Sequence, residues 1–437
     1  MKMLRYLAPL LLGSVQLLAI PAWSRLTGSA CNMCHATPTW QLNSNGLEFL
    51  KNGHRLEAAK VDKKDQTLNN YISLVWKGRA YWDKLDSQRT GNANTQKPAN
   101  NFEQHSFSLY TGGALSERFS YFTELYLNEN TGSTSGGNIV QGDAARKKLA
   151  EAFLQFNQPL NDKAFLSVRA GEILPGILHV FGVGARSAEQ RALPLNDALQ
   201  AAANTPQNQY KPFSRQQGMD VTLNSAHSES SLAFGIVDGS AANVTNSIDS
   251  DGHKDWYASA LWSFDKAQSA VGLFHYDGSF ANYATANDFS TTLNFNNKFT
   301  KDGLLFRYLG SDWRVVAAYF TGEETVNLGA GALTPATFVS GKTKNKGYYG
   351  LVDYNFSDTF GVYARYDYLD PNTSVGSNDV KMVLLGVNGM LYMSENTGAR
   401  WNVEYTEKEA WNSANASVPG TLKLKDKKIF AQITWAF

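Results

Sequence analysis

Beyond about residue 69, apolar and polar residues alternate with a period of two. In "KIFAQITWAF", Ile429, Ala431, Ile433, Trp435 and Phe437 fall on one face, and Phe430, Gln432 and Thr434 on the other. In "ERFSYFTELYL", Phe119, Tyr121, Leu125 and Leu127 oppose Ser120, Glu124 and Tyr126. "GVYARYDYL" sets Val362, Ala364, Tyr366 and Tyr368 against Arg365 and Asp367, and "RWNVEYTE" sets Trp401, Val403 and Tyr405 against Asn402 and Glu404. This is the pattern of strands whose two faces meet different surroundings, and a soluble sandwich would share it. Three features favour a barrel in lipid. The strands are about ten residues long, enough to cross a bilayer at a tilt. Their flanks are heavy in Tyr, Trp and Phe, like interfacial girdles. The chain also ends on an alternating strand whose last residue is Phe437.

Strands are predicted near 69–83, 105–115, 119–128, 147–157, 164–171, 217–224, 230–238, 256–264, 268–277, 301–309, 312–321, 345–356, 360–369, 380–393, 398–406 and 428–437. That gives an all-β fold, a transmembrane antiparallel barrel of sixteen strands, the even number such barrels need. Long connections such as "DSQRTGNANTQKPANNFEQ" alternate with short ones such as "SER", "GSD" and "SENT". Long loops belong outside the cell and short turns in the periplasm, so both ends of the barrel face the periplasm. "FSTTLNFNNKF" (289–299) also reads as a strand, but a seventeenth would break the rhythm, so it is expected in an outer loop. Sixteen strands leave an aqueous channel. The longest outer segment, 172–216, is apolar enough to fold inward, which would bring Glu172, His179 and Arg186 to a constriction.

Composition adds exclusions. Forty Lys and Arg balance 39 Asp and Glu, which argues against a nucleic-acid partner. A mean hydropathy of -0.34 fits a barrel with a wet lumen and excludes a helical bundle in lipid. The opening "MKMLRYLAPLLLGSVQLLAIPAWS" has Lys2 and Arg5, an apolar run from Leu7 to Ile20, and small residues at Ala22–Ser24. It reads as a secretory signal over residues 1–24, with Arg25 starting the exported chain. Residues 25–66 then precede a barrel domain of 67–437.

Both cysteines of the chain lie in that short segment, as Cys31-Asn-Met-Cys34-His35. Cys-x-x-Cys-His is the attachment sequence of c-type haem: two thiols add to the porphyrin vinyl groups and the histidine ligates the iron. A structural disulfide, a thioredoxin-like pair and a zinc site compete. The first would staple little chain, the second needs a βαβ context, and the third needs four ligands. One covalent haem c is therefore expected on Cys31 and Cys34, with His35 the proximal ligand. His54, in "LKNGHRLE", is the expected distal ligand, since Met33 sits between the anchors and the next methionine is Met219. About forty residues make no independent core, so the haem segment should rest on the barrel's periplasmic mouth or lodge in its pore.

These two parts together resemble the fused outer-membrane cytochrome–porins of iron-oxidising bacteria. The resemblance rests on "SRLTGSACNMCHATPTWQLNSNGLEFLKNGHRLE", with Thr27 and Gly28 ahead of the motif, Pro38 after it, and Gly46, Phe49, Asn52 and Gly53 beyond. The chain departs from the family at Asn45, Leu47 and His54. The resemblance implies oxidation of extracellular Fe(II), or another reductant, through the haem, with electrons passed to a periplasmic c-type cytochrome. Inward carboxylates at Glu124, Glu151, Asp353, Asp367 and Glu404 could contact a cation, although Arg169, Arg365 and Arg400 also point inward. A diffusion porin with a haem plug or redox gate, and electron export to an extracellular acceptor, remain open alternatives.

Overall fold

The computed structural model describes residues 21–28, 31–55, 70–89, 92–95, 99–129, 133–135, 138–140, 149–182, 186–196, 210–239, 252–264, 269–282, 295–329, 338–374, 379–393, 397–411 and 422–437. Residues 1–20 of the expected leader lie outside them.

Sixteen long strands close on themselves. They are β1 (Ile72–Arg89), β2 (Ala99–Ala114), β3 (Phe119–Glu129), β4 (Leu149–Pro159), β5 (Ala164–Ile173), β6 (Gln216–Ser225), β7 (Ser231–Val237), β8 (Asp255–Phe264), β9 (Ser269–Asn282), β10 (Phe295–Leu309), β11 (Trp313–Gly329), β12 (Phe338–Ser357), β13 (Phe360–Asp370), β14 (Val380–Met393), β15 (Gly398–Trp411) and β16 (Leu422–Ala436). Each pairs antiparallel with its sequence neighbour, and β1 pairs with β16 from Val75↔Ala436 to Arg89↔Leu422. Closure leaves no unpaired edge, so every strand's backbone groups are satisfied within the sheet. A short strand Asn92–Thr95 folds back on the end of β1.

All sixteen predicted strands are present, several of them longer than expected. The segment 289–299 behaves differently from the prediction. Its described part, 295–299, is the first third of β10, paired from Asn282↔Phe295 to Gly278↔Phe299. It extends an existing strand and adds no seventeenth. The period-two signal was real, and what the sequence concealed was how far β9 and β10 project past the lipid band.

The alternation sorts the two faces as expected. Outside, Leu154, Leu232, Leu273, Leu304, Leu385 and Ile433 are exposed. Around the short turns, Trp262, Trp313, Phe356, Phe360, Trp435 and Phe437 form an exposed aromatic rim. Trp313 packs on Tyr354 at 4.5 Å and Phe356 on Phe360 at 5.7 Å. This is the surface of an outer-membrane barrel. Among the described residues no helix is long and apolar enough to cross a membrane, so the crossing falls to the strands.

The lumen is less open than expected. The segment after β5 turns inward and buries Leu174, Leu178 and Phe181 completely. They pack with inward residues of the wall such as Leu305, Phe320, Tyr349 and Leu351 in one apolar core. Gly272 makes room: a Cβ there would come within 2.8 Å of Phe181 and 2.9 Å of Ile177. The wall also grips this inserted loop through its backbone. Asp367 accepts from the Leu193 amide at 3.0 Å, Glu404 accepts from the amides of Glu189 and Gln190, and Arg365 donates to the Gln190 and Arg191 carbonyls.

Candidate functional site

The N-terminal segment lies inside the barrel at the short-turn end. Helix α1 (Pro21–Thr27) runs along the start of β1, where the Ala22 amide donates to Ser73 Oγ at 2.8 Å and Arg25 donates to the Ile72 carbonyl at 2.9 Å. A single 3-10 turn, Cys31–Met33, leads into a tight loop closed by Ala36 and Trp40. Helix α2 (Ser44–Lys51) follows, capped by Asn43, whose side chain accepts from the Gly46 amide. The wall holds this segment around its circumference. Lys51 donates to the Ser225 and Ser228 carbonyls, Asn157 to Asn52, Asn355 to Thr37, and Gln41 to Asp353 at 2.8 Å.

Two glycines of the motif region are fixed by contact. A Cβ at Gly46 would sit 2.2 Å from the Cys34 carbonyl oxygen, so only glycine lets α2 rest on the cysteine turn. Gly53 has φ +78°, and a Cβ there would meet Ser120 Oγ at 2.3 Å. Both are therefore demanded by the docking of this segment.

His35 and His54 border the same cavity, of about 410 Å³, between this segment, the wall and the inserted loop. The two rings are held by different means. His35 Nδ1 donates to the Trp40 carbonyl at 2.9 Å, the only role open to it against a carbonyl, so Nε2 keeps its lone pair. A ligating histidine is usually oriented by such a bond. His54 has no equivalent: its Nδ1 is buried with no hydrogen-bond partner. Its ring is held in an aromatic cluster instead, stacked on Phe122 at 4.8 Å and 10° and tilted against Trp23 at 4.8 Å and 33°, with Trp23 and Phe122 6.1 Å apart. Burial pushes His35 down to about 4 and His54 down to about 3, so both imidazoles are neutral, the form that binds metal.

Among the described residues, Trp40 (φ 68°) and His54 (φ 60°) alone hold left-handed backbones without being glycine. Each such residue costs roughly 1–3 kcal/mol, and such strain gathers at functional sites. Both stand at this cavity.

Cys34 is free, and burial pushes its thiol up to about 11. It does not border the cavity. The side chain of Cys31 lies outside the described residues. No group of three or more His, Cys, Asp or Glu among the described residues could hold a bare metal ion. A porphyrin needs no such group, because it brings four nitrogens and asks the protein only for axial ligands. The two histidines, one with a free Nε2 and one with an orphaned Nδ1, suit that demand, while Cys34 stands next to the cavity-lining His35 without itself bordering the cavity.

The five inward carboxylates are all luminal, and all are engaged. Glu124 accepts from Tyr110 at 2.6 Å and pairs with Arg215 at 3.2 Å, and Glu151 pairs with His179 at 3.5 Å. Asp353 pairs with Arg314 at 3.3 Å, and Asp367 with Arg365 at 2.8 Å. Glu404 takes the loop amides and the Tyr363 hydroxyl. They serve as the wall's half of its grip on plug and loop. Of the expected constriction residues, His179 and Arg186 border the histidine cavity, while Glu172 is buried at the wall and does not. Reading the sequence left Phe122, Trp23 and Trp40 without a role. Phe122 could have been found, since alternation from Ser120 to Glu124 turns it inward.

No protein-family model matches the chain, and no curated relative does. Among solved structures, the chain is similar to the outer membrane protein OmpT of Vibrio cholerae at 13% identity and a TM-score of 0.49, over 83% of this chain and 97% of that one. The outer membrane channel DcaP of Acinetobacter baumannii gives 10% and 0.49 over 84% and 97%. An anion-selective porin from Comamonas acidovorans gives 11% and 0.47 over 84% and 100%. The likeness is one of barrel shape and reaches no site.

Proposed function

We propose that the chain is an outer-membrane electron-transfer protein, a porin-type barrel whose N-terminal segment carries one covalent haem c on Cys31 and Cys34. His35 and His54 would be its axial ligands. The observation that carries this reading is the meeting of both histidines at one buried cavity inside the barrel. A haem bound there would supply one-electron exchange at its iron. The chain's own residues support that use. Trp40 fixes the His35 tautomer, Phe122 and Trp23 pack on the His54 ring, and Phe49 and Phe153 stand around it at 6.0 and 6.3 Å.

Ferrous iron is the donor suggested by resemblance to the cytochrome–porins, with a periplasmic c-type cytochrome as acceptor. The engaged carboxylates offer no standing iron site, so a dissolved donor would reach the cavity by diffusion along the lumen. The test is a pyridine haemochrome assay on detergent-extracted protein, followed by titration of the oxidised form with Fe(II) at fixed pH. The reading predicts one haem per chain and reduction faster than a free-haem control. A blank haemochrome assay would end it.

A second reading has the barrel architecture in its favour: a diffusion porin whose plug is structural or a redox gate. Conductance in planar bilayers that changes with redox state would support the gate.

A further inference from the structure

The sequence places the end of the leader after Ser24, which would remove Trp23 from the exported protein. The structure uses the residues on both sides of that bond. Ala22 is 1% exposed, and its amide donates to Ser73 at the start of β1. The Trp23 indole donates to the Gly112 carbonyl at 3.0 Å, on β2. Its ring lies 5.3 Å from Phe49, 6.1 Å from Phe122 and 4.8 Å from His54. Arg25, one residue past the expected cleavage, is tied to the Ile72 carbonyl. Cutting between Ser24 and Arg25 would remove Trp23 from the cavity lining and from its contacts with His54 and Phe122.

The ring's neighbours give that face its importance. His35 is oriented by a hydrogen bond, whereas His54 Nδ1 has none, and its backbone sits in a strained left-handed region. Its plane is therefore set by what stacks on it. Phe122 stacks on the ring, and Trp23 packs beside Phe122 against the same imidazole, the three rings touching one another.

We infer that Trp23 stays in the mature protein and is a positioning residue for His54, the leader being cleaved upstream of Ala22. Ala19 supplies a small residue for that earlier cut. The location of the cut stands by itself; the positioning role rests on the haem reading above.

The test begins with protein purified from outer membranes after expression of the full chain with its own leader. Its N-terminal peptide and intact mass should include Ala22 and Trp23. A chain beginning at Arg25 would overturn the inference. The haem-loaded protein is then compared with its Trp23→Ala and Trp23→Phe variants by low-spin EPR, whose g-anisotropy reports the mutual angle of the axial imidazole planes. Trp23→Ala should shift those g-values and Trp23→Phe should restore them. Unchanged g-values in Trp23→Ala, with haem bound, would overturn the positioning role. A protein without haem would overturn the haem reading and the positioning role with it, while the mass would still decide the cut. Should Trp23→Ala fail to assemble, Trp23→Leu keeps bulk without an aromatic face and must show the same shift.

Discussion

At the scale of single residues, the lumen is organised by charges that hold chain in place. Glu189, on the inserted loop, sits between Lys77 at 2.8 Å and Arg400, with both ion pairs nearly out of water on the carboxylate side. Burial by itself would raise its carboxyl, but Lys77, Arg400 and Arg186 outweigh burial and hold it well below the usual carboxylate range. A carboxyl depressed in the folded state lends stability that is present above its unfolded value near 4.3 and is lost as pH falls towards its folded value. Glu189→Gln should thus cost about 3 kcal/mol at neutral pH, because it leaves the buried Arg400 and the partly exposed Lys77 without their carboxylate. Thermal unfolding in detergent by circular dichroism should show wild type and variant converging between pH 5 and pH 3. An equal gap at both would rule out the charge as the cause. His54 offers a second check at this scale: His54→Ala in haem-loaded protein should lose the six-coordinate low-spin spectrum, and a spectrum that stays six-coordinate would hand the distal role to another imidazole at the cavity, His105 or His179.

At the scale of elements, legibility follows from what sets each element. The strands were readable because each has lipid on one side and lumen on the other, and a period of two is the direct imprint of that difference. Strand length was less readable, because β9–β12 run past the lipid band into surroundings that no longer demand an apolar face. The inward fold of 172–216 was legible from its apolar run, but its anchoring was not. The partners that hold it, Asp367 and Glu404, are more than 170 residues away in sequence. Cys31, Cys34 and His35 were legible as a motif, and the common cavity of His35 and His54 was not, since it depends on Phe122 of β3 and Gly53 docking on Ser120. The loop's apolar anchor gives an element-level prediction. Phe181 is fully buried against Gly272 and Tyr349, so Phe181→Ala should cost about 3–5 kcal/mol and raise single-channel conductance as the loop loosens. A variant with the predicted loss of stability and unchanged conductance would mean that the loop does not narrow the path.

At the scale of the whole molecule, barrel and plug are held by different bonds. The barrel's backbone pairing is complete without residues 31–55, because β1 closes on both β2 and β16. The plug depends on wall side chains: Asn157, Gln155, Asn355, Arg314 and Arg400 all spend hydrogen bonds on its backbone or side chains. If the plug is removed, those groups face a mouth open to water and are solvated there, so the loss falls far short of that for orphaned groups in a dry core. Deleting residues 31–55 while keeping the leader should therefore leave a barrel that still inserts and still resists mild heating in detergent. It should carry a larger single-channel conductance than the full chain, because the short-turn end loses the segment that fills it. Planar-bilayer recordings of the two proteins decide the matter. Equal conductance would mean that the inserted loop alone limits flow, and that the N-terminal segment sits in the mouth to be held by the barrel, not to close it.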